Sequence, residues 1–224
     1  MKTVPIVYYS DVLCVWAYFA QLRLDAIKRT YGDRVQFDYR FCSVFGDSAR
    51  KISSAWAAKG RYEGFNAHIL HAASAFPETK VNPNIWLAAR PASSMAPHLF
   101  LKAIQLGALE GEWAIDVLER AITAMRGAFF EDGRDISDQD VHREVAESVA
   151  VEMAVVMRFI RSGRAHAALA SDYKDADAAG VQGSPTFILN EGRQKLFGNV
   201  GYRIIEANIQ ELLREPNPDQ ASWC

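Results

Sequence analysis

The stretch Asp11-Val12-Leu13-Cys14-Val15-Trp16-Ala17-Tyr18 stands between a short apolar segment and a longer amphipathic one. Before it, residues 4–9 are β-branched and aromatic, which predicts a buried strand. After it, apolar side chains recur with helical spacing from residue 15 to about residue 30. Cys14 is therefore predicted to lie where a strand ends and a helix begins, and parallel βαβ units place reactive groups there.

Beyond this stretch the sequence predicts the order β-α-β, a large helical insert, then β-β-α. Residues 35–42 form the next predicted strand, and two strands joined through a helix are expected to be parallel with a right-handed crossover. Residues 186–197 have the pattern of a β-hairpin, and residues 201–213 have the periodicity of an amphipathic helix. The fold class is thus α/β, with the first and last parts of the chain sharing one sheet.

The middle of the chain is alanine-rich and amphipathic, with glycine and proline between the segments, which favours helices almost throughout. We expect these helices to form a subdomain over one end of the sheet. The chain then divides into a discontinuous α/β domain (residues 1–48 and 181–215), a helical insertion domain (residues 49–180) and a C-terminal tail (residues 216–224).

Composition is that of an ordinary globular protein. Of 224 residues, 50% are hydrophobic and 23% are charged, and a net charge of -2 gives no electrostatic reason to expect a nucleic-acid or membrane partner. No apolar run approaches the ~20 residues of a membrane span, and the N-terminus lacks the pattern of a secretory signal. We therefore expect a cytoplasmic protein that binds neither nucleic acid nor a membrane.

Cys14 is the candidate reactive residue. A cysteine at a helix N-terminus faces unpaired backbone N–H groups, which favour the thiolate and can lower the pKa of the thiol below about 8.5. Asp11 is expected to act in the opposite direction if it is close, because its negative charge opposes thiolate formation. The alternative is that Cys14 is a small buried hydrophobic residue, as most isolated cysteines are.

A second motif, Gly183-Ser184-Pro185-Thr186-Phe187, puts a proline directly before a predicted strand. Proline cannot donate to the strand ladder, so this position indicates a special loop, with a trans proline in a surface turn as the alternative. The order of the flanking elements favours the special loop.

These two motifs resemble those of a known family, the DsbA-like thioredoxin proteins and particularly their FrnE group. The stretch containing Cys14 is similar to D-x-x-C-P-W-C-Y, and residues 180–187 are similar to G-V-x-G-x-P-T-F around the family's cis-proline. The resemblance implies a thioredoxin fold with a helical insertion and a cis bond between Ser184 and Pro185 beside Cys14. It also implies that the Ser184 backbone pairs with an extended peptide or with glutathione, without needing its side chain. Trp16, expected to be partly exposed, is a further candidate for substrate binding.

Two departures from the family motif change the expected chemistry. The second motif cysteine is Ala17, and Val15 replaces a proline. In dithiol exchange a second thiol resolves the mixed disulfide, which Ala17 cannot do. We therefore expect an oxidoreductase in which Cys14 alone forms a mixed disulfide with an extended protein peptide or a small thiol. Glutathione is the expected cosubstrate, and no bound cofactor is expected.

Two other functions remain open. Kappa-class glutathione transferases and 2-hydroxychromene-2-carboxylate isomerases resemble this architecture but typically have serine in place of Cys14. They also have an acidic residue near the position of Asn199, which could instead donate a hydrogen bond to a carboxylate. A transferase or isomerase of this kind is one alternative, and a non-catalytic module that binds extended peptides is the other.

The sequence also leaves open whether a second thiol takes part in the reaction and whether the protein forms an oligomer. Cys42 ends the second predicted strand and is a candidate second thiol if its Cα lies within about 7 Å of that of Cys14. Cys224, in the predicted tail, is a weaker candidate. A homodimer is compatible with the sequence.

The histidines contribute less to the prediction. His68 and His71 have the spacing of one helix face, where they could line a pocket between the insert and the sheet, but two histidines without a third ligand make a poor zinc site. We therefore expect no metal. His98 matches a helix start in the family's insertion and is expected to be a packing residue.

Overall fold

The structure is a computed structural model that describes residues 2–214. The strands within these residues are β1 (Val4–Ser10), β2 (Val35–Phe41), β3 (Thr186–Leu189) and β4 (Gln194–Phe197). The helices are α1 (Val15–Tyr31), α2 (Ser48–Ala55), α3 (Arg61–Ala73), α4 (Met95–Leu109), α5 (Val117–Phe130), α6 (Gln139–Ser148), α7 (Met153–Arg161), α8 (Arg164–Ala178) and α9 (Tyr202–Leu213). The predicted order of elements is confirmed.

The four strands form one mixed sheet in the order β2-β1-β3-β4. β1 and β2 are parallel, with Tyr8 opposite Tyr39, whereas β3 is antiparallel to β1, with Phe187 opposite Tyr8. β3 and β4 form the predicted hairpin. The βαβ unit and the ββα unit therefore share a sheet, and both the α/β class and the thioredoxin fold are confirmed.

The end of β1 and the start of α1 place Cys14. Ile6 and Tyr8 on β1 are fully buried, so the strand lies in the core up to its last residues. Cys14 is the N-cap residue of α1, with extended backbone angles. Gly32 follows the last helical residue, Tyr31, and its φ of 51° is a conformation that favours glycine.

The helices α2 to α8 form the predicted insertion, but they share their core with the sheet. One continuous cluster of buried side chains contains Tyr8 and Phe41 from the strands together with Phe100 and Phe129 from the insertion. Trp86, which precedes α4, is fully buried in the same cluster. The insertion is thus packed directly onto the α/β part.

Two further predictions concern the C-terminal tail and the absence of a membrane span. The tail, including Cys224, lies outside the described residues. Among residues 2–214, none of the helices combines the length and the hydropathy needed to cross a membrane.

Candidate functional site

Cys14 lies against the loop that precedes β3. Its thiol donates a hydrogen bond to the backbone oxygen of Ser184, with a distance of 3.1 Å between Sγ and O. The peptide bond between Ser184 and Pro185 is cis, as the resemblance implies. Residues that are far apart in the sequence, 14 and 184, thus form one site at the carboxyl end of β1.

The loop around Pro185 is held from both sides. The Ser184 hydroxyl accepts a hydrogen bond from the backbone N–H of Asp11 at 2.9 Å, and the oxygen of Pro185 accepts one from the N–H of Gly198 at 2.8 Å. The Ser184 side chain, which the sequence analysis left without a role, therefore ties the loop to the end of β1.

The thiol of Cys14 is a weaker acid than its position at a helix start predicts. Its side chain is only 5% exposed, and this burial raises the pKa of the Cys14 thiol above its ordinary value. The contact with Ser184 and the N–H groups of Ala17 and Trp16 act in the opposite direction, while the charge of Asp11 raises the pKa further. The expected lowering is therefore wrong, because desolvation outweighs the helix N-terminus; the expected effect of Asp11 is in the direction predicted.

Asp11 is fully buried behind Cys14, and its carboxylate organises three segments of the chain. Oδ1 accepts from the N–H of Leu13 at 2.9 Å, and Oδ2 accepts from the N–H of Phe45 at 2.7 Å and from the Ser94 hydroxyl at 2.8 Å. Burial raises the pKa of the Asp11 carboxyl to about 6, against the effect of these hydrogen bonds. The loops after β1 and β2 and the start of α4 thus meet at this carboxylate.

His98, near the start of α4, has more than a packing role. Its Nε2 accepts a hydrogen bond from the N–H of Val12 at 3.1 Å, and its Nδ1 lies 2.9 Å from the hydroxyl of Tyr173. Its ring is stacked on that of Phe41 with 4.5 Å between the centroids. Burial holds the pKa of His98 well below its ordinary value, so the imidazole is neutral.

A buried arginine, which the sequence analysis missed, lies in the core beside β1. Arg126 on α5 is 1% exposed and donates to the Ser10 hydroxyl at 3.0 Å and to the side-chain oxygen of Gln21 at 3.2 Å. The Nε of Arg126 and the hydroxyl of Tyr8 have no hydrogen-bond partner among the described residues. The sequence shows an arginine within an apolar helical segment, which could have indicated a buried charge. It does not show which residues this arginine contacts.

Cys42 packs in a different part of the core. It is 4% exposed and contacts a small cluster formed with Tyr9, Ala176 and Ile188, whereas Cys14 belongs to the main core. Its Sγ lies 4.0 Å from the oxygen of Gly183, beside a cavity of about 280 Å³. Burial strongly raises the pKa of the Cys42 thiol. Both cysteines are free thiols, and a role of Cys42 as second thiol stays a prediction.

The remaining candidate residues lie at or beyond the rim of the site. Trp16 is half-buried, as expected, with its ring in edge contact with Phe19 and Phe76. Asn199 is exposed and directly follows Gly198, which contacts Pro185. Their proposed contacts with substrate stay predictions.

The two histidines on α3 lie on the surface. His68 is exposed and packs against the ring of Trp56, with 5.1 Å between the centroids, and His71 is exposed as well. Within residues 2–214 there is no group of three or more histidine, cysteine or acidic side chains that could hold a metal ion.

The sequence profile of the DSBA-like thioredoxin domain matches residues 5–210, which is nearly the whole chain. The chain belongs to the DSBA-like thioredoxin domain family. No protein among the curated sequences matched it.

Solved structures of DsbA-like proteins share this fold at low sequence identity. A probable DsbA oxidoreductase from Streptomyces coelicolor is 16% identical, with a TM-score of 0.72 over 96% of this chain and 92% of that one. A cytosolic disulfide reductase DsbM from Pseudomonas aeruginosa is 18% identical, with a TM-score of 0.65 over 92% and 98%, and another structure of it contains GSH. A 2-hydroxychromene-2-carboxylate isomerase is 15% identical, with a TM-score of 0.66 over 93% and 95%.

In the first turn of α1, Ala17 occupies the position at which the motif quoted in the sequence analysis has its second cysteine. Ala17 is fully buried, and its N–H donates to the backbone oxygen of Cys14 at 3.1 Å. The position of the second motif cysteine is therefore filled by a methyl group packed into the core. The first turn of the helix can supply one thiol, that of Cys14.

Proposed function

We propose that this protein is a thiol–disulfide oxidoreductase that uses the single thiol of Cys14 and takes glutathione as its cosubstrate. The observation that carries the proposal is the 3.1 Å contact between the Cys14 thiol and the Ser184 oxygen. It sets the sulfur beside the Ser184–Pro185 segment, where an extended peptide or glutathione can pair with the backbone of Ser184. The DsbM structure with GSH, which has the same fold, is consistent with this cosubstrate.

The proposed exchange has two steps, and each conserves sulfur atoms and electrons. In the first, the Cys14 thiolate attacks the glutathionyl sulfur of a mixed disulfide R–S–S–G. The old S–S bond breaks, a Cys14–S–S–G bond forms, and the substrate leaves as a thiolate that takes up a proton. In the second, a glutathione thiolate attacks the glutathionyl sulfur of the adduct, which releases glutathione disulfide and the Cys14 thiolate. External glutathione is needed because Ala17 cannot resolve the adduct.

Four further residues would contact the substrate. Ser184 would present its backbone N–H to the glutathione or peptide, Pro185 would contact it through its ring, and Trp16 would supply an apolar surface next to the thiol. Asn199 is exposed near Pro185 and would donate a hydrogen bond to a glutathione carboxylate. A glutathione-dependent exchange needs a compartment that contains glutathione, and we propose the cytoplasm.

The test is incubation with oxidised glutathione followed by intact-protein and peptide mass spectrometry. We expect one glutathione on the wild type at Cys14, none at that peptide in Cys14→Ser, and an unchanged adduct in Cys42→Ser. Reduced glutathione should then remove the adduct. Retention of the adduct in Cys14→Ser would contradict the proposal, and so would insulin reduction as fast as by a two-cysteine enzyme.

A non-catalytic peptide-binding module is the second candidate, because the Cys14 thiol is buried and its pKa is raised. If the wild type forms no adduct even in alkaline solution but binds extended peptides, this candidate replaces the first.

A further inference from the structure

We propose that His98 is a positioning residue for Cys14: as a neutral imidazole with its proton on Nδ1, it holds the turn that leads into the thiol. This role deepens the proposed function because it concerns the same thiol, but it can be tested without glutathione. It assigns a positioning role to a side chain of the insertion whose hydrogen bonds are with Val12 and Tyr173.

The hydrogen bonds determine which nitrogen of His98 carries the proton. The N–H of Val12 points at Nε2 at 3.1 Å, so Nε2 must present a lone pair. In a neutral imidazole the proton then lies on Nδ1, which donates to the Tyr173 hydroxyl at 2.9 Å. A protonated imidazolium could not accept the bond from Val12.

The surroundings of His98 keep it neutral. Its side chain is fully buried, and the positive charges of Arg126 on α5 and Lys102 on α4 also oppose its protonation. Lys102 is itself paired with the carboxylate of Asp172 on α8. Asp11 lies close, with 3.7 Å between its Oδ1 and Nε2 of His98. That contact is not an ion pair, because Nε2 accepts from the N–H of Val12 and holds no proton.

The position of Val12 connects His98 to the thiol. Val12 is in the turn closed by the hydrogen bond from the N–H of Cys14 to the oxygen of Asp11, at 3.1 Å. Without an acceptor at Nε2, the N–H of Val12 would be buried without a partner, and the turn would shift to satisfy it. Cys14 would then move relative to Ser184 and to the first N–H groups of α1, which favour its thiolate. Loss of the acceptor should therefore make the thiol less acidic.

Two substitutions of His98 distinguish its hydrogen bond with Val12 from its hydrogen bond with Tyr173. The side-chain oxygen of His98→Gln can take the place of Nε2 and accept from Val12, whereas the amide of His98→Asn reaches only the place of Nδ1 and the Tyr173 hydroxyl. Tyr173→Phe removes that hydroxyl and leaves the bond to Val12 intact. Circular dichroism establishes that each variant is folded before its thiol is measured.

The readout is the pH dependence of Cys14 alkylation by iodoacetamide, followed at the Cys14 peptide by mass spectrometry. In His98→Asn we expect a higher midpoint pH and alkylation slower by about fivefold near neutral pH, the effect of one lost hydrogen bond. His98→Gln and Tyr173→Phe should keep the midpoint of the wild type. An equal shift in His98→Gln and His98→Asn, or no shift in His98→Asn, would overturn the proposal.

Nitrogen-15 NMR of the wild type tests the tautomer even if His98→Asn fails to fold. With the His98 signals assigned by their loss in His98→Gln, we expect the Nδ1–H form from about pH 5 to pH 8. An Nε2–H form or an imidazolium in that range would refute the role. Failure of the wild type to accept glutathione would count against the proposed function alone, because neither measurement here uses glutathione.

Discussion

At the scale of single residues, Asp11 has two opposed effects. Its carboxylate satisfies the backbone of Leu13 and Phe45 and the hydroxyl of Ser94, which organises the site. The same negative charge raises the pKa of the Cys14 thiol. Asp11 thus stabilises the structure of the site and also makes the Cys14 thiol less acidic. A substitution that removes the charge of Asp11 allows the two effects to be measured separately.

Asp11→Asn is expected to lower the midpoint pH of Cys14 alkylation, because the charge that opposes the thiolate is gone. At about pH 4 the variant should also unfold more easily, by about 1–3 kcal/mol, since an amide nitrogen cannot accept from both Phe45 and Ser94. Alkylation by iodoacetamide and urea unfolding measure the two effects. Asp33→Asn, which changes an exposed carboxylate, is the control and should leave both values unchanged. A higher midpoint in Asp11→Asn would contradict the assigned effect of the charge.

The raised pKa of Asp11, about 6 in place of the ordinary 3.8, predicts a dependence of stability on pH. A carboxyl with a raised pKa in the folded state contributes stability that is complete below its unfolded pKa and is lost as the pH rises through its folded pKa. We expect this contribution, about 3 kcal/mol, to disappear between about pH 4 and pH 7. The measurement is the difference in unfolding free energy between wild type and Asp11→Asn across this range. A constant difference would show that Asp11 titrates normally.

At the scale of elements, a buried ion pair joins α4, α8 and β2. Lys102 on α4 lies 2.5 Å from Asp172 on α8, and the other bond of Asp172 is to the N–H of Phe41 at 3.0 Å. Burial lowers the pKa of Lys102 and raises that of Asp172, while their mutual attraction acts against both shifts. The pair therefore fixes how two helices of the insertion sit on the edge strand.

Asp172→Ala is expected to destabilise the protein by about 3–5 kcal/mol, because it leaves the buried Lys102 ammonium without its counter-charge, with Gln105 as its remaining acceptor, and the Phe41 N–H without an acceptor. Urea unfolding gives the value. The matched control is Asp116→Ala, which breaks the exposed pair with Arg120 and should cost about 0–1 kcal/mol. An equal decrease in unfolding free energy in the two variants would mean that the buried ion pair stabilises the protein no more than the exposed one.

Two glycines within helices provide a second comparison at this scale. A Cβ on Gly107 of α4 would lie 2.3 Å from the ring of Trp113, whereas a Cβ on Gly127 of α5 would have its nearest contact at 3.6 Å. Gly107→Ala should therefore cost about 1–3 kcal/mol, and Gly127→Ala should stabilise by about 0.5–1 kcal/mol through the higher helix propensity of alanine. Thermal unfolding measured for both variants tests the difference in sign. Stabilisation by Gly107→Ala would refute the close packing of Trp113.

At the scale of the whole molecule, the insertion and the sheet share one core. Phe129 of α5 is fully buried against Trp86, in the same cluster as Tyr8 and Phe41 of the sheet. Two parts that share their buried side chains cannot lose them independently, so they are expected to unfold in one cooperative transition.

Phe129→Ala tests this cooperativity. The substitution should cost about 3–5 kcal/mol and move the unfolding midpoints seen by tryptophan fluorescence and by circular dichroism together. Two separated transitions, with only one affected by the substitution, would show that the insertion is an independent unit.

The sequence by itself determined the order of the elements and the two halves of the site. The periodicity of residues 15–30 and the turn signals around the hairpin are local properties, so the chain shows them before it folds. Cys14 at a helix start and Pro185 before a strand are local in the same sense. The absence of a resolving thiol at Ala17 is also a property of the sequence alone.

Only the tertiary structure decided how acidic the Cys14 thiol is and what holds it in place. Its pKa depends on the competition between the N–H groups at the helix N-terminus, which the sequence reveals, and burial, which arises only when the chain folds and the cis-proline loop packs against the thiol. Behind the thiol, hydrogen bonds link Asp11 to Ser94 and link His98 to Val12 and to Tyr173. No local pattern links residues so distant in the chain, because their hydrogen bonds exist only after the elements that carry them have packed together.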